Sequence, residues 1–151
     1  MTYREIKGDL FTAPSKSLLV HCISADLRLG AGIAKVFAEK YNVRKLLNLS
    51  SAKDEWNGTG YCILVFSSCE GKEMWKVANL VTKEKCWQKP TYQTLKDSLL
   101  ALLDICKSQG FQELAMPRIG CGLDGLDWSR VSAMIQEVFK DSSVNITVYR
   151  L

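Results

Sequence analysis

The pattern of apolar and polar positions along the chain predicts strands that alternate with helices. Apolar runs and alternating positions predict six strands, at residues 3–7, 18–23, 61–66, 75–81, 114–119 and 144–151. Helical spacing predicts helices over residues 33–41 and 45–48, and two more in the C-terminal half. A polar turn is expected at residues 70–72. Strands interleaved in this way with helices imply a layered α/β fold with helices on both faces of a sheet.

The two C-terminal helices have the clearest boundaries. Thr91 is the predicted N-cap of the first, and Gly110 is its predicted end. Asp127 is the predicted N-cap of the second. Apolar stripes predict the buried faces, at Leu95, Leu99, Leu102, Leu103 and Cys106 in the first helix and at Val131, Met134, Ile135 and Val138 in the second.

Composition places the chain among globular proteins, because 47% of its 151 residues are hydrophobic and 24% are charged. No linker or repeat interrupts it, so one domain is predicted over residues 1–151. The first ten residues lack a secretory pattern, and no apolar run reaches 18 residues. An intracellular protein with free thiols is therefore expected from its six cysteines, with the nucleus and the cytosol both open.

The net charge and the number of potential metal-binding residues limit which ligands the protein is expected to bind. The net charge of +4 favours anionic ligands. A nucleic-acid-binding surface is not expected, because the sequence has no dense stripe of Lys and Arg residues. A zinc site is not expected, since there is one histidine and no Cys-x-x-Cys pair.

Two glycine-containing loops each lie between a predicted strand and a predicted helix. They are LGAGIA at residues 29–34 and GCGLDG at residues 120–125. Glycine lets backbone N–H groups approach a ligand closely, and a helix N-terminus adds unsatisfied donors and a positive dipole end. Ligands of open α/β sheets bind beyond the carboxyl ends of the strands. Two such loops could hold two adjacent phosphates, although either one could simply be a turn.

Two familiar nucleotide-binding patterns do not fit these loops. A dinucleotide-binding motif needs a third small residue where Lys35 stands, and an eight-residue stretch separates strand from helix instead of a tight turn. A P-loop would need Gly-Lys-Ser/Thr at a fixed spacing, which is absent.

A series of motifs resembles the macrodomain family, in the branch of the terminal ADP-ribose protein glycohydrolase. These motifs occur in the family's order from residue 7 to the C-terminus, and as a set they are highly specific. They are KGDLF (7–11), HCIS (21–24), GAGIA (30–34), TK (82–83), KPTY (89–92), MPRIGCGLD (116–124), VSAMI (131–135) and ITVY (146–149).

The resemblance implies a three-layer α/β/α sandwich with a mixed central sheet and with ADP-ribose in a cleft at the sheet's crest. It implies that Asp9 accepts a hydrogen bond from the adenine amino group. It implies further substrate contacts at Leu10, Ser24, Gly30, Ala31, Gly32, Ile33, Thr82, Pro117, Ile119, Gly120, Cys121, Gly122, Leu123, Tyr149 and Leu151.

The resemblance also implies the chemistry. Many macrodomains position the distal ribose with asparagines at the second strand, where this chain has HCIS. In this branch the catalytic roles map onto Lys83 as nucleophile and Asp124 as acid/base. A lysine amine is a nucleophile only when it is neutral. The implied substrate is ADP-ribose esterified to a glutamate or aspartate side chain, and neither a metal nor another cofactor is expected.

Other chemically notable residues receive structural interpretations. His21 lies in an apolar strand, which favours a packed, hydrogen-bonded group over a general base. Cys121 has no partner histidine for nucleophilic catalysis, so it is expected to be a small loop residue. Core or rim packing is expected of the tryptophans at positions 56, 75, 87 and 128.

Several functions stay open at this point. One is an ADP-ribose reader without turnover, which would need the glycine loops and Asp9 but not Lys83 or Asp124. Others are deacylation of O-acyl-ADP-ribose and action on ADP-ribosylated nucleic-acid bases. The expected partners are ADP-ribose and ADP-ribosylated proteins, with no membrane partner, and the expected oligomeric state is a monomer.

Overall fold

The computed structural model describes residues 1–49, 58–68 and 74–151, and within them six strands form a single sheet. The strands are β1 (Thr2–Lys7), β2 (Leu18–Ser24), β3 (Tyr61–Ser68), β4 (Met74–Lys83), β5 (Glu113–Met116) and β6 (Asn145–Arg150). The helices are α1 (Gly32–Tyr41), α2 (Val43–Leu49), α3 (Tyr92–Gln109) and α4 (Trp128–Phe139). Short 3-10 helices occur at Leu10–Thr12 and Gly122–Asp124.

The sheet has the order β1-β6-β5-β2-β4-β3. Five strands are parallel, and only β3 runs antiparallel, against β4. The predicted mixed sheet is confirmed. The parallel strands all end at one edge, which we call the crest. Four strand spacings separate the ends of β1 and β4, about 19 Å along the crest.

Two apolar cores confirm that helices cover both faces of the sheet. Leu18 and Val20 of β2 point to the core shared with α3 and α4, while their neighbour Leu19 points to the core shared with α1 and α2. This alternation follows from the two-residue period of a strand. Because α3 and α4 use their predicted stripes on one face and α1 and α2 pack on the other, the molecule has the predicted α/β/α layers.

Helix boundaries follow the expected capping chemistry with one exception. The Thr91 side chain accepts from Thr94 N in a capping box, and Gly110 ends α3 in a left-handed conformation. Asp127 accepts from Ser129 N at the start of α4. Helix α1 differs, because its N-cap Ala31 offers no side-chain hydrogen bond. The first-turn N–H groups of α1 are therefore left for another acceptor.

One predicted strand is too long. The prediction of a strand over residues 114–119 is wrong after Met116, where β5 ends. Pro117 has no N–H to donate to the sheet, and the N–H of Ile119 donates back to the Pro117 carbonyl over 2.8 Å. The chain therefore leaves the sheet early and reaches the crest. The predicted turn at residues 70–72 lies outside the described residues.

Within the described ranges, no helix has the length and apolar character needed to cross a membrane.

Candidate active site

A cleft of about 560 Å³ opens at the crest, over the ends of β2, β4 and β5. It is formed by the loop from β2 to α1, the segment after β4 and the loop from β5 to α4. Most of the predicted site residues line it: Ser24, Gly30, Ala31, Gly32, Ile33, Lys83, Pro117, Ile119, Gly120, Cys121, Gly122, Leu123 and Asp124. The two glycine loops, far apart in sequence, therefore face the same space.

The first wall is the uncapped start of α1. Gly32, Ile33 and Ala34 line the cleft, and no side chain caps the N–H groups at this end of the helix. Gly32 has φ +58°, a left-handed conformation that residues with a Cβ rarely adopt. Free N–H groups and the positive end of the helix dipole favour an anion here, as in other phosphate sites.

The second wall is the loop from β5 to α4. Gly120 has φ +73°, and a Cβ on it would lie 3.0 Å from Leu126 Cδ1 and 3.2 Å from Leu95 Cδ2. The backbone can pass so close to α3 only because glycine has no side chain. Leu123 is 66% exposed, and a Cβ on Gly32 would lie 3.4 Å from its Cδ1. The Leu123 side chain therefore lies beside the start of α1, where the two walls approach each other.

Lys83 and Asp124 meet at one end of the cleft. Lys83 Nζ donates to Asp124 Oδ1 over 2.9 Å, and each side chain is 17% exposed. Lys83 is the last residue of β4, while Asp124 ends the 3-10 helix Gly122–Asp124. Lys89 Nζ donates to the carbonyl of Leu123 and so helps to hold this short helix. An amine and a carboxylate in direct contact can exchange a proton without an intervening water.

The Lys83–Asp124 pair is the distinctive chemical feature of the cleft, because the other cations there favour an anionic ligand and two of the thiols are poor nucleophiles. Three cationic side chains among the described lining residues, Lys83, Lys89 and Arg118, outnumber the single carboxylate of Asp124, which favours an anionic ligand. Burial raises the pKa of the Cys22 thiol to about 12. Burial also raises the pKa of Cys121. Both thiols therefore stay protonated near neutral pH and are poor nucleophiles.

Five predicted contacts lie outside this cleft. Asp9 follows β1 at the far end of the crest, exposed, with its side chain accepting from Phe11 N over 2.9 Å. Leu10 and Tyr149 are buried in the core beside α1, with exposures of 3% and 9%. Thr82 is buried next to the Cys22 thiol, and the terminal Leu151 is 95% exposed. Their roles in binding stay predictions, and Leu10 could contribute through its main chain alone.

Six lining residues lie outside the two predicted loops and were not predicted from the sequence: Cys22, Ile23, Cys86, Trp87, Lys89 and Arg118. Leu29 and Ala34 also line the cleft, as parts of the predicted loop at residues 29–34. Several stand inside or beside the motifs quoted above, so their position in the chain could have suggested them. Trp87 could not have been found in this way, because packing was the expectation for a tryptophan. It is instead 75% exposed at the cleft rim.

His21 has the predicted structural role. It is fully buried, its Nε2 lies 2.5 Å from Asn79 Oδ1, and its ring stacks on Phe37 at 4.0 Å between centroids. Burial lowers the pKa of His21 to about 4, against the opposing effect of its hydrogen bond to Asn79. It does not line the cleft. The five cysteines within the described residues are free thiols, as expected.

The fold and the crest cleft define a class of protein, an α/β/α sandwich that offers an anion-binding helix N-terminus beside an amine–carboxylate pair. The Macro domain family model matches residues 20–135, and the chain belongs to this family. It is 44% identical over 147 residues to the ADP-ribose glycohydrolase OARD1 of Homo sapiens, covering 97% of this chain and 90% of that protein. This similarity confirms the predicted branch of the family.

Three further similarities extend across the chain. It is 30% identical over 160 residues to an ADP-ribose 1''-phosphate phosphatase of Lodderomyces elongisporus, covering 99% and 98% of the two chains. The macrodomain of Mycobacterium tuberculosis DarG superposes with a TM-score of 0.85 at 21% identity, over 99% and 98% of the chains. Thermosipho africanus DarTG in complex with ADP-ribose superposes with a TM-score of 0.81 at 22% identity, over 96% of this chain and 40% of that one. At these identities the structures show the shared fold.

Proposed function

We propose that this protein is an ADP-ribose glycohydrolase that releases ADP-ribose from the glutamate and aspartate side chains of modified proteins. The observation that carries the proposal is the 2.9 Å contact between Lys83 and Asp124 at one end of an anion-favouring cleft. Two relatives named as hydrolases of ADP-ribose compounds support it. One is an ADP-ribose glycohydrolase at 44% identity, and the other is an ADP-ribose 1''-phosphate phosphatase at 30% identity.

ADP-ribose would lie along the crest. Its adenine would meet the Asp9 carboxylate, which accepts from an amino group but not from a carbonyl. Its diphosphate would receive hydrogen bonds from the uncapped N–H groups of α1 and from the loop at residues 120–123. Its distal ribose would then lie beside Lys83 and Asp124. A ligand with two charged phosphates matches a cleft whose described lining residues include three cationic side chains and a single carboxylate.

The first chemical step would transfer the ADP-ribosyl group to Lys83. Its proton passes to Asp124 along their hydrogen bond, which leaves a neutral amine. The amine attacks the anomeric carbon, forming a C–N bond as the C–O bond to the ester breaks. The carboxylate of the modified protein departs with the bonding electron pair. Such covalent catalysis divides one difficult displacement into two easier steps.

The second step would free the enzyme. Asp124 acts as acid and base, promoting opening of the ribose ring in the lysyl adduct and then the addition of water. Breaking the C–N bond returns the amine to Lys83 and releases ADP-ribose. The same displacement would apply to ADP-ribose joined to a nucleic-acid base through its anomeric carbon, with the base as the leaving group. It would apply to O-acyl-ADP-ribose only where the acyl group is carried by the anomeric oxygen, since the bond that breaks must be on the carbon that Lys83 attacks.

The proposal is tested by release of free ADP-ribose from a glutamate-ADP-ribosylated protein. Lys83→Ala and Asp124→Ala should each lose turnover, while calorimetry should still detect ADP-ribose binding. Lys35→Ala, which removes an amine outside the cleft lining, is the matched control and should keep turnover. If the wild-type protein binds ADP-ribose but releases none, the protein is a reader; if Lys83→Ala keeps full turnover, the assigned nucleophile is wrong.

A further inference from the structure

Trp87 is an exposed aromatic side chain at the rim of the cleft. With 75% of its surface accessible, it contrasts with Trp75, which packs against Tyr41 at 5.5 Å, and with Trp128, whose Nε1 donates to Glu5 over 2.9 Å. Trp87 lines the same cleft as Lys83 and Asp124. Tryptophan is enriched at interfaces, because its ring supplies a large apolar area while its N–H can still reach a polar partner.

A tight turn presents the indole to solvent. The N–H of Gln88 donates to the Lys85 carbonyl over 3.0 Å, which places Cys86 and Trp87 at the centre of a β-turn. The Gln88 side chain closes the turn, since its Oε1 accepts from Lys85 N over 2.9 Å. The turn is therefore held at both of its ends.

Asp26 fastens this turn to the loop between β2 and α1. Its Oδ2 accepts from Cys86 N over 2.9 Å, and its own N–H donates to the Glu84 carbonyl over 3.1 Å. Its Oδ1 accepts from Ser24 over 2.5 Å. Burial alone would raise the pKa of Asp26, but these hydrogen bonds outweigh it and lower the pKa. The carboxylate thus stays ionised, and the backbone of the turn that carries Trp87 is tied to the loop between β2 and α1.

We propose that Trp87 is a specificity-determining residue that packs against the polypeptide carrying the ester, next to the modified glutamate or aspartate. This inference rests on the proposed function. Trp87 follows Lys83 by four residues and lines the cleft at whose end the leaving group departs, so whatever is attached to the distal ribose passes over this rim. A polypeptide fits better than a nucleic acid, since the net charge is only +4 and no dense Lys/Arg stripe is present.

The test compares three ligands by calorimetry: free ADP-ribose, ADP-ribose joined by a stable linkage to a peptide, and the same group joined to a single-stranded oligonucleotide. The wild-type protein should bind the peptide conjugate more tightly than ADP-ribose. Trp87→Ala should remove this advantage, about tenfold in Kd. Trp87→Phe should restore most of it. Phe66→Ala, which removes another exposed ring outside the cleft lining, should keep it.

Each other outcome overturns the inference. If the wild-type protein binds the peptide conjugate no more tightly than free ADP-ribose, no part of the protein contacts the polypeptide. Equal weakening of ADP-ribose and of the conjugate by Trp87→Ala means that the ring holds ADP-ribose itself. If only the oligonucleotide conjugate binds more tightly than ADP-ribose, the partner is a nucleic acid. If the peptide conjugate still binds more tightly to Trp87→Ala, the contact lies at another residue. Because stable conjugates are not hydrolysed, these results are independent of the turnover assay that tests the proposed function.

Discussion

The Lys83–Asp124 contact combines two requirements that oppose each other. The hydrogen bond holds the amine as a donor to the carboxylate, but attack on a sugar carbon needs the nitrogen lone pair. In the proposed mechanism, proton transfer within the pair meets both requirements, because the carboxylate accepts the proton along this hydrogen bond. An arginine at position 83 could keep the ion pair but could not give up a proton in this way.

Lys83→Arg should therefore retain binding and lose chemistry. We expect turnover to fall by more than about 100-fold, the scale of losing one reacting group, because the guanidinium stays protonated. Calorimetry should give a Kd for ADP-ribose close to that of the wild type. Release of ADP-ribose from a glutamate-modified protein measures the turnover. Activity of Lys83→Arg near the wild-type rate would show that position 83 contributes only its charge.

His21 is the residue whose environment makes the folded state sensitive to acid. Its pKa is about 4 in the fold, mainly because burial disfavours the charged ring, and 6.5 is its ordinary value. Below pH 6.5 the unfolded chain takes up a proton that the folded protein does not. The free energy of unfolding therefore falls as the pH drops from 6.5 to 4, by up to about 3 kcal/mol from this group.

His21→Gln should reduce that pH dependence. Glutamine cannot titrate, and its amide can still donate to Asn79 Oδ1. Denaturant unfolding at several pH values between 7 and 4 should show a shallower loss of stability for the variant. His21 is the only histidine in the chain, so the difference between the two curves isolates its contribution. Parallel curves would mean that carboxylates alone cause the acid sensitivity.

At the scale of elements, the loop from β2 to α1 combines backbone strain with an open helix end. Leu27 and Leu29 have positive φ values of 56° and 45°, conformations that are rare for residues other than glycine. Their side chains are 7% and 4% exposed, so burial in the core beside α1 offsets the backbone cost. The two buried leucines thus anchor the loop to the core, and the first residues of α1, Gly32, Ile33 and Ala34, line the cleft.

Gly32→Ala should weaken ADP-ribose binding by about tenfold. The left-handed φ of +58° costs an alanine about 1 kcal/mol, and the new Cβ would lie 3.4 Å from Leu123 Cδ1, where the two walls meet. Gly110→Ala is a matched control, because its φ is +75° at the end of α3 and a Cβ there meets nothing within 4 Å. Thermal unfolding should give similar losses of stability, whereas calorimetry should show weaker binding only for Gly32→Ala. Equal binding by both variants would exclude the open helix end as the phosphate site.

Periodicity along the chain was enough to predict the helices and strands, because each apolar stripe faces one of two cores. Periodicity did not predict where an element ends when a single residue decides it, and it did not predict a short local turn. Pro117 ends β5 early, and the 3-10 helix that carries Asp124 has too few residues for a periodic pattern. Leu123 of the second glycine loop lies beside Gly32 of the first, and Asp26 bonds to the backbone of the turn that carries Trp87. Neither partnership is visible in sequence spacing, because the residues are brought together only by the ends of β2, β4 and β5.

At the scale of the molecule, the parallel sheet places the residue proposed for base recognition far from the pair proposed for chemistry. Asp9 follows β1 at one end of the crest, while Lys83 ends β4 about 19 Å away. Under the proposed function, the five adjacent strand ends would align the segments of an elongated ligand in the order base, diphosphate, sugar. Changes at positions this far apart, with no shared partner, are expected to act independently.

Asp9→Ala should therefore affect affinity without affecting the chemical step. We expect the Kd for ADP-ribose to rise about tenfold, the scale of one hydrogen bond to a charged group, and kcat to stay within about twofold. The Asp9 side chain also accepts from Phe11 N, so Asp9→Asn, which keeps an oxygen for that bond, separates the loss of charge from the loss of the cap. Steady-state release of ADP-ribose gives kcat, and calorimetry gives Kd. A fall in kcat with unchanged Kd would place Asp9 in the reaction and reverse the orientation of the ligand along the crest.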